Sequence, residues 1–177
     1  MTYKECLSTA MEELSLDPLV RFVGYGVRYG GRAAGTLKGV PESMCIETPV
    51  AENLMASMAI GLALGGLRPV VYIERFDFIL NALDAIVNHL DKLQALSDGQ
   101  FNPRVILRVV AGNRGKPLFT GTTHTQDFTE AMRCLVGFPV KRLEDPVDII
   151  PSYNYAHDWL KKPHGHSTML VELKDSI

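Results

Sequence analysis

Residues 47–90 read ETPVAENLMASMAIGLALGGLRPVVYIERFDFILNALDAIVNHL, and this stretch decides the fold class. The pair Thr48-Pro49 is typical of a helix start, and a run of mostly small apolar residues follows it. Residues 69–73 are continuously apolar, which predicts a buried strand. From Asp77 onward, apolar residues recur at spacings of three and four, which indicates another helix. Helix, buried strand and helix in succession are typical of an α/β protein with a parallel sheet.

The same alternation extends over the whole chain. The pattern predicts six strands, at residues 20–23, 44–47, 69–73, 105–110, 139–143 and 168–173. It predicts helices at residues 3–14, 48–66, 77–93, 127–135 and 146–161. We therefore expect an α/β three-layer sandwich, with helices on both faces of a doubly wound, mostly parallel sheet of about six strands. No linker or repeat divides residues 1–177, so we expect a single domain.

Composition excludes several classes of protein. Eighteen Lys and Arg residues against 20 Asp and Glu leave a formal charge of -2, so no basic face is available for nucleic acid. The first residues have no signal-peptide pattern and no segment has 18 uncharged apolar residues, so we expect a cytoplasmic protein without a membrane span. The widely spaced Cys6, Cys45 and Cys134 are expected to be reduced core residues.

A glycine-rich segment after the first predicted strand leaves one alternative open. Gly24, Gly26 and Gly30, with Glu47 ending the next strand, resemble a loose dinucleotide-binding fingerprint. That fingerprint requires a helix directly after the glycines to hold the pyrophosphate. Residues 31–43 contain three glycines and a proline, which favours an irregular loop.

A more specific signal comes from ordered motifs. They are TPVAE at 48–52, GLRP at 66–69, FDF at 76–78, NALDAIVN at 81–88 and HTQ at 124–126. Together they resemble the pyrimidine-binding domain of thiamine diphosphate-dependent enzymes. The resemblance is greatest to the β chains of 2-oxo acid dehydrogenase E1 components, with transketolases next, and runs from about residue 20 to the end of the chain.

The resemblance implies roles for four residues. Glu52 would hydrogen-bond to N1′ of the cofactor's pyrimidine ring and so convert its 4′-amino group into a base. Phe76 would stack on that ring, and Phe78 is expected to pack inward, although either ring could face the cofactor. His124 would approach the substrate. Position alone leaves open that Glu52 is an ordinary first-turn acidic residue and His124 a solvated loop residue.

The chain also departs from the family pattern. E1 β chains commonly carry acidic residues after the first glycine, where this chain has Tyr25-Gly26-Val27. Nothing in it resembles the G-D-G motif and later asparagine that hold magnesium and the diphosphate; the nearest match is Ser97-Asp98-Gly99. No metal site is expected in this chain, and the three histidines near its end (His157, His164 and His166) are expected to lie at the surface.

These departures imply that a separate partner subunit holds Mg²⁺ and the diphosphate, while thiamine diphosphate is shared between the two chains. The resemblance then implies the small β-type subunit of a two-component enzyme, with an α2β2 assembly. The reaction implied is cleavage next to a carbonyl and transfer of an acyl or ketol unit, from a 2-oxo acid or a ketose phosphate. A regulatory subunit of the same fold and a nucleotide-binding α/β protein are the alternatives.

Overall fold

A computed structural model describes residues 1–112, 121–173 and 176. Within them a single sheet has six strands, all parallel, in the order β2-β1-β3-β4-β6-β5. The strands are β1 (Val20–Gly24), β2 (Cys45–Glu47), β3 (Arg68–Ile73), β4 (Ile106–Ala111), β5 (Val140–Arg142) and β6 (Thr168–Leu173). All six predicted strands are present, and their ends differ from prediction by one residue or less.

Helices cover both faces of this sheet, so the predicted three-layer α/β architecture is confirmed. The helices are α1 (Tyr3–Ser15), α2 (Glu52–Leu64), α3 (Leu93–Leu96), α4 (Thr129–Leu135) and α5 (Pro146–Lys161). Helices α1 and α5 share one core cluster with alternate strand residues such as Val70 and Leu170. Helices α2 and α4 share the other cluster with Val71 and Val171. Adjacent residues of one strand thus point to opposite cores, as a sheet buried on both faces requires.

Helix α1 follows directly from its sequence. The Thr2 hydroxyl accepts from the Glu5 amide, and the Glu5 carboxylate accepts from the Thr2 amide, so the two residues form a capping box. Leu7, Met11 and Leu14 repeat at helical spacing and are buried against the sheet. The helix therefore begins at the predicted residue and buries the predicted face.

Helix α2 begins later than predicted, at Glu52 instead of Thr48. The reason is that the Thr48 amide donates to the Gly24 carbonyl, which keeps the chain extended for another few residues. Only one side of α2 is buried, through Met55, Ala56 and Ala59 among others. Because the helix is apolar on nearly all sides, Leu54 and Leu64 remain exposed.

The helix predicted from residue 77 is present but is not a regular α-helix. Residues Phe76–Ala82 form a 3₁₀-helix and Asp84–Leu90 a π-helix, before the short α3. Ile79, Ile86 and Leu90 of the predicted apolar seam are buried. Departures of this kind from α-helical winding are frequent at functional sites.

A buried ion pair lies beneath α1 and α5. Arg108 of β4 donates to both carboxylate oxygens of Glu172 on β6, at 2.6 and 3.1 Å. The Tyr153 hydroxyl donates to Glu172, and Arg108 also donates to the Thr36 hydroxyl at 2.7 Å. Burial opposes the charged form of Arg108, but Glu172 outweighs it and raises the pKa of the guanidinium. The pair joins two neighbouring strands to the loop that carries Thr36.

That loop, residues 25–40, follows β1 and contains no helix, in agreement with the irregular loop expected from its glycines. Gly26 and Gly30 have positive φ angles, and so do Arg32, Ala33 and Ala34. Consecutive left-handed residues other than glycine are costly, by roughly 1–2 kcal/mol each. The contact between Thr36 and Arg108 helps to hold this conformation.

Two further observations concern expectations from composition. Cys6 and Cys45 are buried and reduced as expected, but Cys134 is exposed, because α4 turns Thr129 and Met132 toward the sheet and Cys134 away from it. That expectation was wrong for Cys134. Across the residues that the structure describes, none of the helices has the length and apolar character needed to cross a bilayer.

Candidate functional site

A small cleft lies at the carboxyl ends of β1 and β3. The chain leaves β1 toward β2 on one side and leaves β3 toward β4 on the other, so this is the switch point of the sheet. Ligands of open α/β sheets bind at such points. The cleft measures about 60 Å³. Its lining residues are Tyr25, Val50, Glu52, Met55, Tyr72, Ile73, Glu74 and Phe78.

Glu52 is the buried carboxyl group of this cleft. It occupies the first turn of α2 and is only 5% exposed. The Asn81 side-chain amide lies 3.4 Å from its Oε2 atom, at the long limit of a hydrogen bond. Met55 and Ile73 supply apolar surface beside it. Acidic residues are seldom this buried, and this one has only a long hydrogen bond, so its place in the cleft marks it as a functional candidate.

The two phenylalanines lie differently from expectation. Phe76 is 0% exposed and packs edge-on against Phe128, with ring centroids 5.9 Å apart, in the core beneath the cleft. Phe78 is half-buried and lines the cleft. Phe78 was expected to pack inward, and the structure instead turns Phe76 to the core and Phe78 to the cleft.

His124 lies next to this phenylalanine. Its ring is edge-on to Phe78, with centroids 5.3 Å apart, and its Nδ1 is 3.1 Å from the Thr123 hydroxyl. Gly112, which follows β4, permits this position, because a Cβ atom there would lie 2.6 Å from the His124 carbonyl oxygen. Residues 113–120, the middle of the loop predicted to carry His124, lie outside the described residues.

A hydrogen-bonded pair connects the segment that carries Phe78 to the loop that carries His124. Gln126 donates its side-chain amide to Asp77 at 2.8 Å, and its backbone amide approaches the same carboxylate at 3.3 Å. Asp77 precedes Phe78 directly, and Gln126 follows His124 by two residues. The structure therefore brings Glu52, Phe78 and His124 to one region and leaves Phe76 out.

Sequence reasoning did not assign several lining residues of the cleft, Tyr25 and Glu74 among them, and it missed one contact. Tyr25 and Glu74 directly follow β1 and β3, so the rule that places ligands at strand ends would have found them. Glu74 faces Arg75, whose guanidinium lies 3.4 Å from its carboxylate. The contact between Asn81 and Glu52 depends on the 3₁₀-helix that carries Asn81, and no sequence pattern indicated it.

The geometry does not favour the dinucleotide alternative. Glu47, which would bind a ribose in that case, accepts hydrogen bonds from the backbone amides of Gly26 and Arg28 at 2.5 and 2.7 Å. No helix follows the glycines within residues 25–40. The site lacks the helix N-terminus that would bind a pyrophosphate.

The histidines near the end of the chain are less exposed than predicted. His157 is half-buried, with Nε2 2.7 Å from an oxygen of Asp17, and His166 stacks on Trp159. Only His164 is fully at the surface, so the expectation was wrong for the other two. Among the residues described, no three His, Cys, Asp or Glu side chains gather in a way that could hold a metal ion.

A buried carboxyl group, apolar neighbours and a half-buried aromatic ring at the switch point suit an aminopyrimidine ring. The volume of the cleft is far below the roughly 300–1,000 Å³ of a small-molecule pocket, so the described residues alone do not enclose a ligand there. The fold and the sequence relatives are consistent with the pyrimidine-binding domain that the motifs resemble. The chain is a homologue of the β subunits of the pyruvate dehydrogenase E1 component.

Three relatives illustrate the similarity. The mitochondrial E1 β subunit of Saccharomyces cerevisiae is 33% identical over 145 residues, 79% of this chain and 39% of the relative. The E1 β subunit of Rickettsia conorii is 32% identical over 145 residues, 79% of this chain and 44% of the relative. The mitochondrial subunit beta-1 of Oryza sativa is 34% identical over 131 residues, 71% of this chain and 34% of the relative. The chain thus spans less than half the length of these relatives.

The solved structures agree on the fold. The inactive β4 tetramer of a split-gene transketolase superimposes with a TM-score of 0.74 at 15% identity, covering 100% of this chain and 53% of that one. No protein-family model matches the sequence.

Proposed function

We propose that this chain is the β-type subunit of a two-component thiamine diphosphate-dependent enzyme that cleaves the bond next to a carbonyl. The observation that carries the proposal is the buried carboxyl group of Glu52 in an apolar cleft at the switch point. Bound thiamine diphosphate would supply the carbon nucleophile for this reaction. Candidate donors are 2-oxo acids and ketose phosphates.

In this proposal the residues of the chain bind and orient the pyrimidine half of the cofactor. Glu52 holds a proton at N1′ of the ring, in a setting shielded from bulk water by Met55 and Ile73. Phe78 supplies the aromatic surface on which the ring packs, in place of Phe76. His124, whose ring is edge-on to Phe78, would approach the substrate.

A separate partner subunit is the second part of the proposal. The described residues alone do not enclose a ligand in the cleft, and apolar side chains stay exposed around it: Val50, 60% exposed, in its lining and Leu54 in the first turn of α2. A partner that holds Mg²⁺ and the diphosphate would close the cleft and cover these side chains. An α2β2 heterotetramer is the assembly we propose.

The first experiment is a pull-down of the tagged chain from its native cells at mild salt, with partners identified by mass spectrometry. A stoichiometric partner with a G-D-G motif and a later asparagine would support the proposal and allow reconstitution. Recovery of the chain alone, as a homo-oligomer, would contradict the two-component enzyme.

Reconstituted enzyme then tests Glu52. Glu52→Gln should lower kcat by at least about 10²–10⁴-fold, the usual contribution of a proton-transferring group, without loss of folding. Glu74→Gln is the matched control, because Glu74 lines the same cleft but faces Arg75. We expect a smaller loss for the control. Equal losses, or full activity of Glu52→Gln, would refute the assignment.

The same material separates the alternatives. A regulatory subunit would bind thiamine diphosphate with its partner and show no turnover with any 2-oxo acid or ketose phosphate. A nucleotide-binding protein would gain thermal stability with NAD(H) and not with thiamine diphosphate.

A further inference from the structure

A second pocket lies at the opposite end of the sheet from the cleft. It has a volume of about 280 Å³, close to the lower limit for small-molecule sites. It lies between α5 and the strands β5 and β6, near Thr168, the first residue of β6. We call it the α5 pocket, and its lining residues are Pro139, Lys141, Pro151, Ser152, Tyr155, Thr168 and Leu170.

Apolar groups form most of this pocket. Leu170 lines it and belongs to the core cluster shared with α5. Pro139 comes just before the edge strand, while Pro151 and Tyr155 come from one side of α5. A ligand here would bury hydrocarbon, which is favourable by removal of apolar surface from water.

Two of the lining residues are polar and lack a close partner. Thr168 is 2% exposed, and its Oγ1 atom has no hydrogen-bond partner within the described part of the chain. A fully buried hydroxyl without a partner is unfavourable, so a ligand that bonds to it would be favoured. Lys141 of β5 lies beside Leu170 of β6. Leu170 follows Thr168 by two residues, so Lys141 and Thr168 are on the same face of the sheet.

The charge of Lys141 is only weakly compensated. Its Nζ atom lies 3.7 Å from Asp148, a longer distance than the 2.9 Å between Lys161 and Asp158 at the end of the same helix. Ser152, the remaining polar residue, already donates to the Asp148 carbonyl. Lys141 and Thr168 are therefore the groups available to a ligand.

We propose that the α5 pocket binds a small aromatic or branched aliphatic carboxylate. The carboxylate would lie between the Lys141 ammonium group and the Thr168 hydroxyl, and the hydrocarbon part would pack on Leu170 and the two prolines. The pocket is separate from Glu52 and its cleft, so this inference does not rest on the proposed function.

Benzoate is the probe for this proposal, with benzyl alcohol as its neutral counterpart and acetate as a carboxylate without a ring. Titration of the full chain, followed by backbone amide NMR shifts, should give benzoate a dissociation constant on the order of millimolar, as expected for so small a ligand. The shifts should centre on Leu170 and Lys141. Acetate and benzyl alcohol should bind more weakly.

Two variants test the assigned contacts. Lys141→Met should weaken benzoate binding about threefold and leave benzyl alcohol unchanged. Its matched control is Lys161→Met, a similarly exposed lysine that also pairs with an aspartate and lies outside the pocket. Thr168→Val removes the hydroxyl at constant shape, so it should weaken benzoate binding about fivefold and raise the Tm of the free protein by about 2 °C.

Several results would overturn the proposal. They are shifts that avoid the α5 pocket, benzoate that binds no better than acetate, and equal effects of the two lysine variants. A lower Tm for Thr168→Val would mean that the hydroxyl is already satisfied, for example by a water molecule, and would also count against it.

Discussion

Asp77 and Gln126 join the segment that carries Phe78 to the loop that carries His124. The carboxylate accepts from the Gln126 side chain at 2.8 Å, and Asp77 itself is buried. Without this contact, the two segments that converge beside the cleft would be linked mainly by the edge-on rings of Phe78 and His124. The pair is therefore expected to position the site without touching a ligand.

Gln126→Ala tests this role. Loss of a hydrogen bond to a charged group should lower the free energy of unfolding by about 1.5–3 kcal/mol, measured by urea denaturation. It should also change the NMR shifts of the His124 ring protons, because the Phe78 ring no longer holds its place. Asn88→Ala removes an equally short but exposed bond to Asp84 and should change neither. Unchanged His124 shifts in Gln126→Ala would limit the pair to a structural role.

The two phenylalanines should respond in opposite ways to truncation. Phe76→Ala leaves a cavity in a filled core and should cost about 3–5 kcal/mol of stability. Phe78→Ala should cost less, because the ring is half-buried, yet it should weaken thiamine diphosphate binding in the assembled enzyme. Denaturation and calorimetric titration of both variants would measure this. Weaker binding in Phe76→Ala alone would restore the assignment first suggested by the motif.

Removing one partner of the buried ion pair should be severe. Glu172→Gln leaves the Arg108 charge buried and uncompensated, so we expect a loss of about 3–5 kcal/mol. The exposed pair of Arg133 and Glu130 provides the comparison, and Glu130→Gln should change stability by less than about 1 kcal/mol. Urea denaturation measures both variants. An equally small loss of stability in the two would mean that burial does not make the pair of Arg108 and Glu172 more important than an exposed one.

His157 predicts a dependence of stability on pH. Burial lowers the pKa of His157 below its ordinary 6.5; Asp17 opposes this only in part, and the positive charges of Lys161 and Arg68 add to the lowering. The unfolded chain therefore binds a proton more readily than the folded one below about pH 6.5. Stability contributed by neutral His157 is full above that pH and is lost as the pH falls toward the lowered pKa.

His157→Gln should flatten this part of the stability profile between about pH 7 and pH 5. His164→Gln is the control, because His164 is exposed. Thermal unfolding across this pH range measures both. An equally steep profile in His157→Gln would assign the pH dependence to other groups.

Much of the fold could be predicted because the deciding signals are local. Short apolar, β-branched runs marked the six strands, and helix α5 has both of its predicted ends, with Asp145 as cap and proline at the first position. The start of α2 could not be predicted, since it depends on a hydrogen bond between Thr48 and a residue of another strand. The 3₁₀-helix and π-helix after β3 could not be predicted either, because the spacing of apolar residues there is that of an ordinary α-helix.

Part of the site could also be predicted, by resemblance. The motif singled out Glu52, which lines the cleft, and His124, which contacts Phe78, but two phenylalanines two residues apart gave no indication of which would face the cleft. Alternation would place both rings on one face in a strand, whereas the 3₁₀-helix separates them. The roles of these residues, and the cytoplasmic location, stay predictions.

The uncovered side of α2 has a practical consequence. Leu54 and Leu64 remain exposed on a helix that is apolar on nearly all sides, and a formal charge of -2 gives molecules little mutual repulsion. Colloidal stability should therefore be poor when the chain is overproduced by itself. Co-expression with the proposed partner should raise the soluble yield, and Leu54→Lys should do the same for the isolated chain.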